Sequence, residues 1–90
     1  VDIGFDSLKR ALTLAERRLD FADARKVFDG PVFAFEDDRF AYPERRYSTI
    51  GLLDDRMMVV IWAEADYGRR VISMRKANDR EQSKFRDRLA

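Results

Sequence analysis

The sequence predicts an α+β fold in one domain: two N-terminal helices, a four-stranded antiparallel sheet and a C-terminal helix. Three observations predict it. Apolar residues recur at helical spacing up to Phe28, the period falls to two after Gly30-Pro31, and helical spacing returns after Asn78 behind a capping signal. A chain of 90 residues buries enough apolar surface for one core, so the domain spans 1–90.

Each element has its own signal. Asp6 or Ser7 caps a first helix in which Leu8, Ala11, Leu12, Ala15 and Leu19 repeat at helical spacing, ending near Leu19. Asp20 starts a second helix with Phe21, Ala24, Val27 and Phe28 on one face, closed by Gly30 and Pro31. Val32 to Phe35 reads as a short strand, followed by a charged loop through Asp37, Asp38, Arg39 and Pro43. Arg46 to Leu53 is the next strand, Asp54 and Asp55 make the turn, and Met57 to Ala63 is apolar enough for an interior strand covered on both faces. A turn at Asp66, Tyr67 and Gly68 leads into Arg69 to Arg75. Strict alternation there sends Arg70, Ile72 and Met74 to one face, and Arg69, Val71, Ser73 and Arg75 to the other. Asn78 with Glu81 three residues on starts the last helix, whose apolar face is only Phe85 and Leu89. In this arrangement the helices cover one face of the sheet and leave the other available.

Composition narrows the function. The chain has neither cysteine nor histidine, which excludes disulfides, thiolate catalysis, zinc fingers and an imidazole base. The acidic groups Glu36, Asp37, Asp38 and Asp54, Asp55 read as solvated loops, so neither a metal nor another cofactor is expected. The longest apolar run, Met57 to Ala63, is too short to span a bilayer, and no signal pattern opens the chain, so a soluble cytoplasmic protein without membrane contact is expected. The net charge of +1 hides an asymmetry: residues 1–38 carry −3, residues 39–68 carry −1 and residues 69–90 carry +5. A basic C-terminal third fits contact with a polyanion, while the acidic remainder argues against a general nucleic-acid coat.

Two segments carry a resemblance to a known family. Glu44-Arg45-Arg46-Tyr47-Ser48-Thr49-Ile50-Gly51, an apolar strand, and then Arg70-Val71-Ile72-Ser73-Met74-Arg75-Lys76-Ala77 resemble the BrnT toxins, partners of BrnA antitoxins. Phe5-Asp6, Asp20 to Ala24 and Val27 to Pro31 are similar to the family's first half, so the resemblance covers almost the whole chain. It implies a ribonuclease-like fold similar to RelE toxins, cleavage of cellular RNA, and neutralisation by a ribbon-helix-helix antitoxin that binds operon DNA. At the end of the first helix the family's usual Lys-His-Gly is replaced by Glu16-Arg17-Arg18, so no role of that histidine carries over. That departure keeps open a second reading, a non-catalytic binding module acting with its antitoxin in operon repression.

Metal-free RNA cleavage uses the substrate's 2′-hydroxyl as nucleophile, so the protein supplies a base, an acid and positive charge. Arg46, Arg75 and Lys76 are the first candidates for phosphate charge, and Glu44, two residues before Arg46, for proton transfer. Without the resemblance, Arg75 and Lys76 read better as a solvated strand end pairing with Glu64 or Asp66, and Glu44 reads equally well as an exposed loop acid. Ser73, Tyr67, Tyr47 and Arg70 are candidates for substrate binding, the tyrosines by stacking or proton transfer, although an aromatic at a strand position is more often packing. Arg80, Lys84, Phe85 and Leu89 on the last helix are candidates for antitoxin binding, offering basic and apolar surface to an acidic, apolar partner segment. The alternative is that Phe85 and Leu89 pack wholly inside the chain.

Overall fold

The computed structural model describes residues 1–89. The chain opens with a strand, β1 (Ile3–Phe5), followed by α1 (Ser7–Arg17), a 3-10 turn (Phe21–Asp23) and α2 (Ala24–Asp29). Four longer strands come next: β2 (Val32–Asp37), β3 (Arg46–Leu53), β4 (Arg56–Ala65) and β5 (Gly68–Lys76). The last element is α3 (Asp79–Leu89). The strands form one sheet in the order β1-β5-β4-β3-β2, antiparallel except for β1, which runs parallel to β5. This corrects the predicted architecture of two N-terminal helices before a four-stranded antiparallel sheet: the sheet is five-stranded and mixed. Three residues containing a glycine carry no legible strand period, and the partner that makes β1 a strand lies more than sixty residues away, at Arg69 to Val71.

Local chemistry accounts for the element boundaries. The Asp6 side chain accepts from the Lys9 backbone N–H at 3.0 Å to cap α1. That helix stops at Arg18, which closes it at φ 58° in the left-handed region. Asp54 and Asp55, at φ 50° and 66°, supply the two positive φ values that a tight two-residue hairpin needs between β3 and β4. Asn78 and Glu81 cap α3 reciprocally: Glu81 N–H donates to Asn78 Oδ1 at 2.8 Å and Asn78 N–H to Glu81 Oε1 at 2.9 Å.

Both faces of the sheet are covered, contrary to the expected one-sided arrangement. The 3-10 turn and α2 pack Phe21, Ala24 and Val27 against Met58, Val60, Val71 and Met74. On the opposite face, Phe85 and Leu89 of α3 pack over Ile50, Met57, Val59 and Ala77. The central position of β4, with seven consecutive buried residues from Met57 to Ala63, follows from its apolar run. Its Trp62 is buried and donates its indole N–H to Thr49 Oγ1 at 2.8 Å.

Gly68 is the joint that admits β1. It has φ +142°, and a Cβ there would collide with the backbone carbonyl of Asp2, whose oxygen accepts from Arg69 N–H at 2.9 Å. Gly68→Ala is therefore expected to lower stability by about 2 kcal/mol through backbone strain and the displaced β1. Chemical denaturation measures this, and an unchanged midpoint would contradict it.

Candidate functional site

α3 covers only part of its face of the sheet, and the remainder is an open cleft of about 340 Å³. Phe35 and Asp37 of β2, Arg46 and Ser48 of β3, Val59 and Ile61 of β4, and Ser73 and Arg75 of β5 line it, with Glu81 at the start of α3. Register explains why these side chains meet. Ser48, Ile61 and Ser73 lie in one row across three strands, and Arg75 lies opposite Val59 in the next.

A β-bulge sets the composition of this face. Ile61 pairs with Ser73 but Trp62 pairs with Val71, so Ile72 is an extra residue on β5. The extra residue breaks the strict alternation expected for β5. Ile72 and Ser73 both border the cleft beside Arg75, and Arg70 reaches the same side to hydrogen-bond Glu44. Arg69 and Met74 stay on the α2 side, where the Arg69 guanidinium sits 4.6 Å from the Phe28 ring and 4.1 Å from the Trp62 ring. The bulge thus gathers Arg70, Ser73 and Arg75, which alternation alone would have split between the two faces.

Each arginine at the cleft is held by a carboxylate. Arg75 donates to both oxygens of Glu81, at 2.8 Å each, in the planar fork geometry that also fits a phosphate. This hydrogen bond, helped by the pair's charges, holds the Glu81 carboxyl below its ordinary pKa and raises that of Arg75. Arg46 and Arg70 share Glu44 Oε1, at 3.3 and 2.9 Å. Desolvation pushes the Glu44 carboxyl up, but the charge of Arg46 and the hydrogen bonds from both arginines outweigh it, so the group lies below its usual pKa and is ionised at neutral pH. The Arg46 guanidinium carbon also sits over the Tyr42 ring, 4.1 Å from its centroid, a cation–π contact.

The loop between β2 and β3 contributes residues that the sequence reading passed over. Asp37, expected in a solvated loop, ends β2 with only 2% of its side chain exposed, held by Arg39 at 2.8 and 3.0 Å. Those hydrogen bonds keep its carboxyl below the normal range despite burial. The available signal was period: Phe33, Phe35 and Asp37 continue one face of β2. Glu81 was legible as a cap but not as the partner of Arg75.

Several expected site residues lie elsewhere. Lys76 borders a separate groove with Gln82 and Arg86. Tyr47 lies on the α2 side, stacked on Trp62 with ring centroids 4.7 Å apart. Tyr67 packs beside Gly4 near the β4–β5 turn. Phe85 and Leu89 are buried, so of the four residues expected to meet an antitoxin only Arg80 and Lys84 face outward.

A family model described as the ribonuclease toxin, BrnT, of type II toxin-antitoxin systems matches residues 5–81. The chain belongs to the BrnT family. The match takes in all the cleft residues named above, up to Glu81, and stops before the remainder of α3. No curated protein matches the chain. As a BrnT protein it is a ribonuclease toxin with an antitoxin partner, and among the described residues no helix is long and apolar enough to cross a membrane. At the end of α1, Arg17 donates to the Met74 carbonyl at 2.9 Å. It thereby satisfies an acceptor on β5 beyond the short β1.

The carboxylate clamps carry a pH dependence. Asp20, Asp37 and Glu81 all have folded pKa values below their ordinary ones, chiefly through hydrogen bonds from Arg10, Arg39 and Arg75. A lowered folded pKa adds stability that is present above the unfolded value of about 4 and lost as pH falls through the folded one. The melting temperature should hold from neutral pH to about 5 and drop below about 4. A melting temperature that rises on acidification would contradict these pairings.

Proposed function

We propose that the cleft is the active site of a metal-independent endoribonuclease that cleaves cellular RNA in the cytoplasm. The observation that carries this reading is the convergence of Arg46, Arg70 and Arg75 with Ser48 and Ser73 on the open half of one sheet face. A phosphate entering the cleft replaces the Glu81 carboxylate on the Arg75 fork and meets Arg46 from the opposite wall, and Ser73 donates to one of its oxygens. Glu44, ionised beside Arg46, accepts the proton of the attacking 2′-hydroxyl. The phosphorane charge that develops is stabilised by the arginines, and its collapse breaks the bond to the 5′-oxygen of the next nucleotide, which takes up a proton from solvent and leaves a 2′,3′-cyclic phosphate. Lys76, bordering the neighbouring groove, serves the flanking phosphodiester.

Metal independence is supported by how the acidic groups are used. Glu44, Asp37 and Glu81 each serve an arginine, and the sequence contains no histidine or cysteine to complete a transition-metal site. RNA incubated with the purified toxin is expected to be cleaved equally with and without EDTA. Loss of cleavage in EDTA would reject the proposal, and no cleavage under either condition would favour a binding module. We further propose that the antitoxin is a BrnA-like ribbon-helix-helix protein, which carries the complex to operon DNA and meets the outward-facing Arg80 and Lys84 with acidic groups.

A further inference from the structure

α1 is turned inside out. Among the described residues none of α1 is buried, and the two that are partly covered, Arg10 and Thr13, are polar. The side facing the rest of the chain is polar: Arg10 pairs with Asp20 at 2.8 Å and Arg17 with the Met74 carbonyl. Leu8, Ala11, Leu12 and Ala15, at positions i, i+3, i+4 and i+7, form one apolar stripe that faces solvent, with Leu8 69% and Leu12 52% exposed. An amphipathic helix in a globular domain normally turns such a stripe to the core. Here the core is completed by the 3-10 turn and α2 instead.

We propose that this stripe is the contact between two copies of the chain, with α1 packed antiparallel on α1 about a two-fold axis. The stripe can pack on its own two-fold copy. With the axis between Ala11 and Leu12, Leu8 of one copy lies opposite Ala15 of the other along the middle of the seam, while Leu12 meets Leu12 at one edge and Ala11 meets Ala11 at the other. Lys9 and Glu16 lie on the same flank of the helix, at nearly the same angle. A two-fold axis brings equivalent flanks together, which places Lys9 of each copy beside Glu16 of the other, giving two ion pairs. The helix dipoles also oppose favourably. A face of 11 residues buries less than the ~800 Å² per partner of a standard interface, so the dimer is weak and forms as concentration rises.

Sedimentation equilibrium of the full chain over rising concentration tests this. The weight-average mass should climb from that of one chain toward that of two. Leu12→Glu should raise the dissociation constant by about tenfold or more without altering the circular dichroism spectrum, because Leu12 is not part of the core. Lys9→Glu and Glu16→Lys should each weaken association, and the double variant should restore it, since it rebuilds the same two pairs with reversed sign. A chain that stays monomeric at every concentration overturns the proposal and leaves the stripe to another partner. A dimer insensitive to Leu12→Glu, or a double variant as weak as the singles, overturns it as well.

Discussion

Arg75→Ala is expected to lower RNA cleavage by at least ~10²-fold, the scale of losing one preorganised charge donor from a transition state. Arg75 already aims two donors as a fork, on Glu81, from the floor of the sheet beside Ser73. Folding should survive the change, because the pair is part-exposed and Glu81 keeps its reciprocal bonds with Asn78. Arg75→Lys keeps the charge but loses the fork, so it should recover little of the lost rate if bidentate contact matters. Cleavage of a defined RNA by Arg75→Ala at the wild-type rate, with a wild-type melting curve, would remove Arg75 from the site. Arg46→Ala and Lys76→Ala in the same assay rank the cations. Arg46 should matter more than Lys76, since Arg46 borders the cleft and Lys76 the neighbouring groove.

How much of this was legible in the sequence depended on whether a feature is set by near neighbours. The capping box at Asn78 and Glu81, the turn at Asp54 and Asp55, and the interior strand at Met57 to Ala63 all follow from residues within a few positions of one another. β1 was not legible, because a three-residue strand exists only through its partner across the chain. The bulge at Ile72 was not legible either, as no glycine or proline marks it, yet it decides which β5 side chains reach the cleft. Of the candidate site, Arg46, Glu44, Arg70, Ser73 and Arg75 are brought together around the cleft. Alternation alone already set Tyr47 on the opposite face from Arg46. The burial of Asp37 depends on Arg39 and Tyr42 folding back over the end of β2, which no local period encodes.

Phe85→Ala is expected to destabilise the isolated chain by about 3–5 kcal/mol, the range for emptying a well-packed aromatic site. Phe85 is 5% exposed and fastens α3 to the sheet, with its ring 5.0 Å from Phe33 and stacked on Phe35 at 6.4 Å. The rest of that helix is largely polar, so Leu89 is its only other buried residue. A domain of this size has a total stability of about 5–15 kcal/mol, and the variant should therefore lose a large share of it. The effect should reach the cleft, because Glu81 is carried on α3 and clamps Arg75: cleavage should fall together with stability, and cooling should restore part of both. The same variant separates two roles for this side chain. If Phe85 were an anchor for the antitoxin rather than a core residue, its removal would leave the denaturation midpoint of the free toxin unchanged and weaken only the complex. If it is the core residue its burial indicates, the free toxin loses stability first, and Arg80→Glu with Lys84→Glu becomes the variant that reports on antitoxin contact at α3 without disturbing the fold.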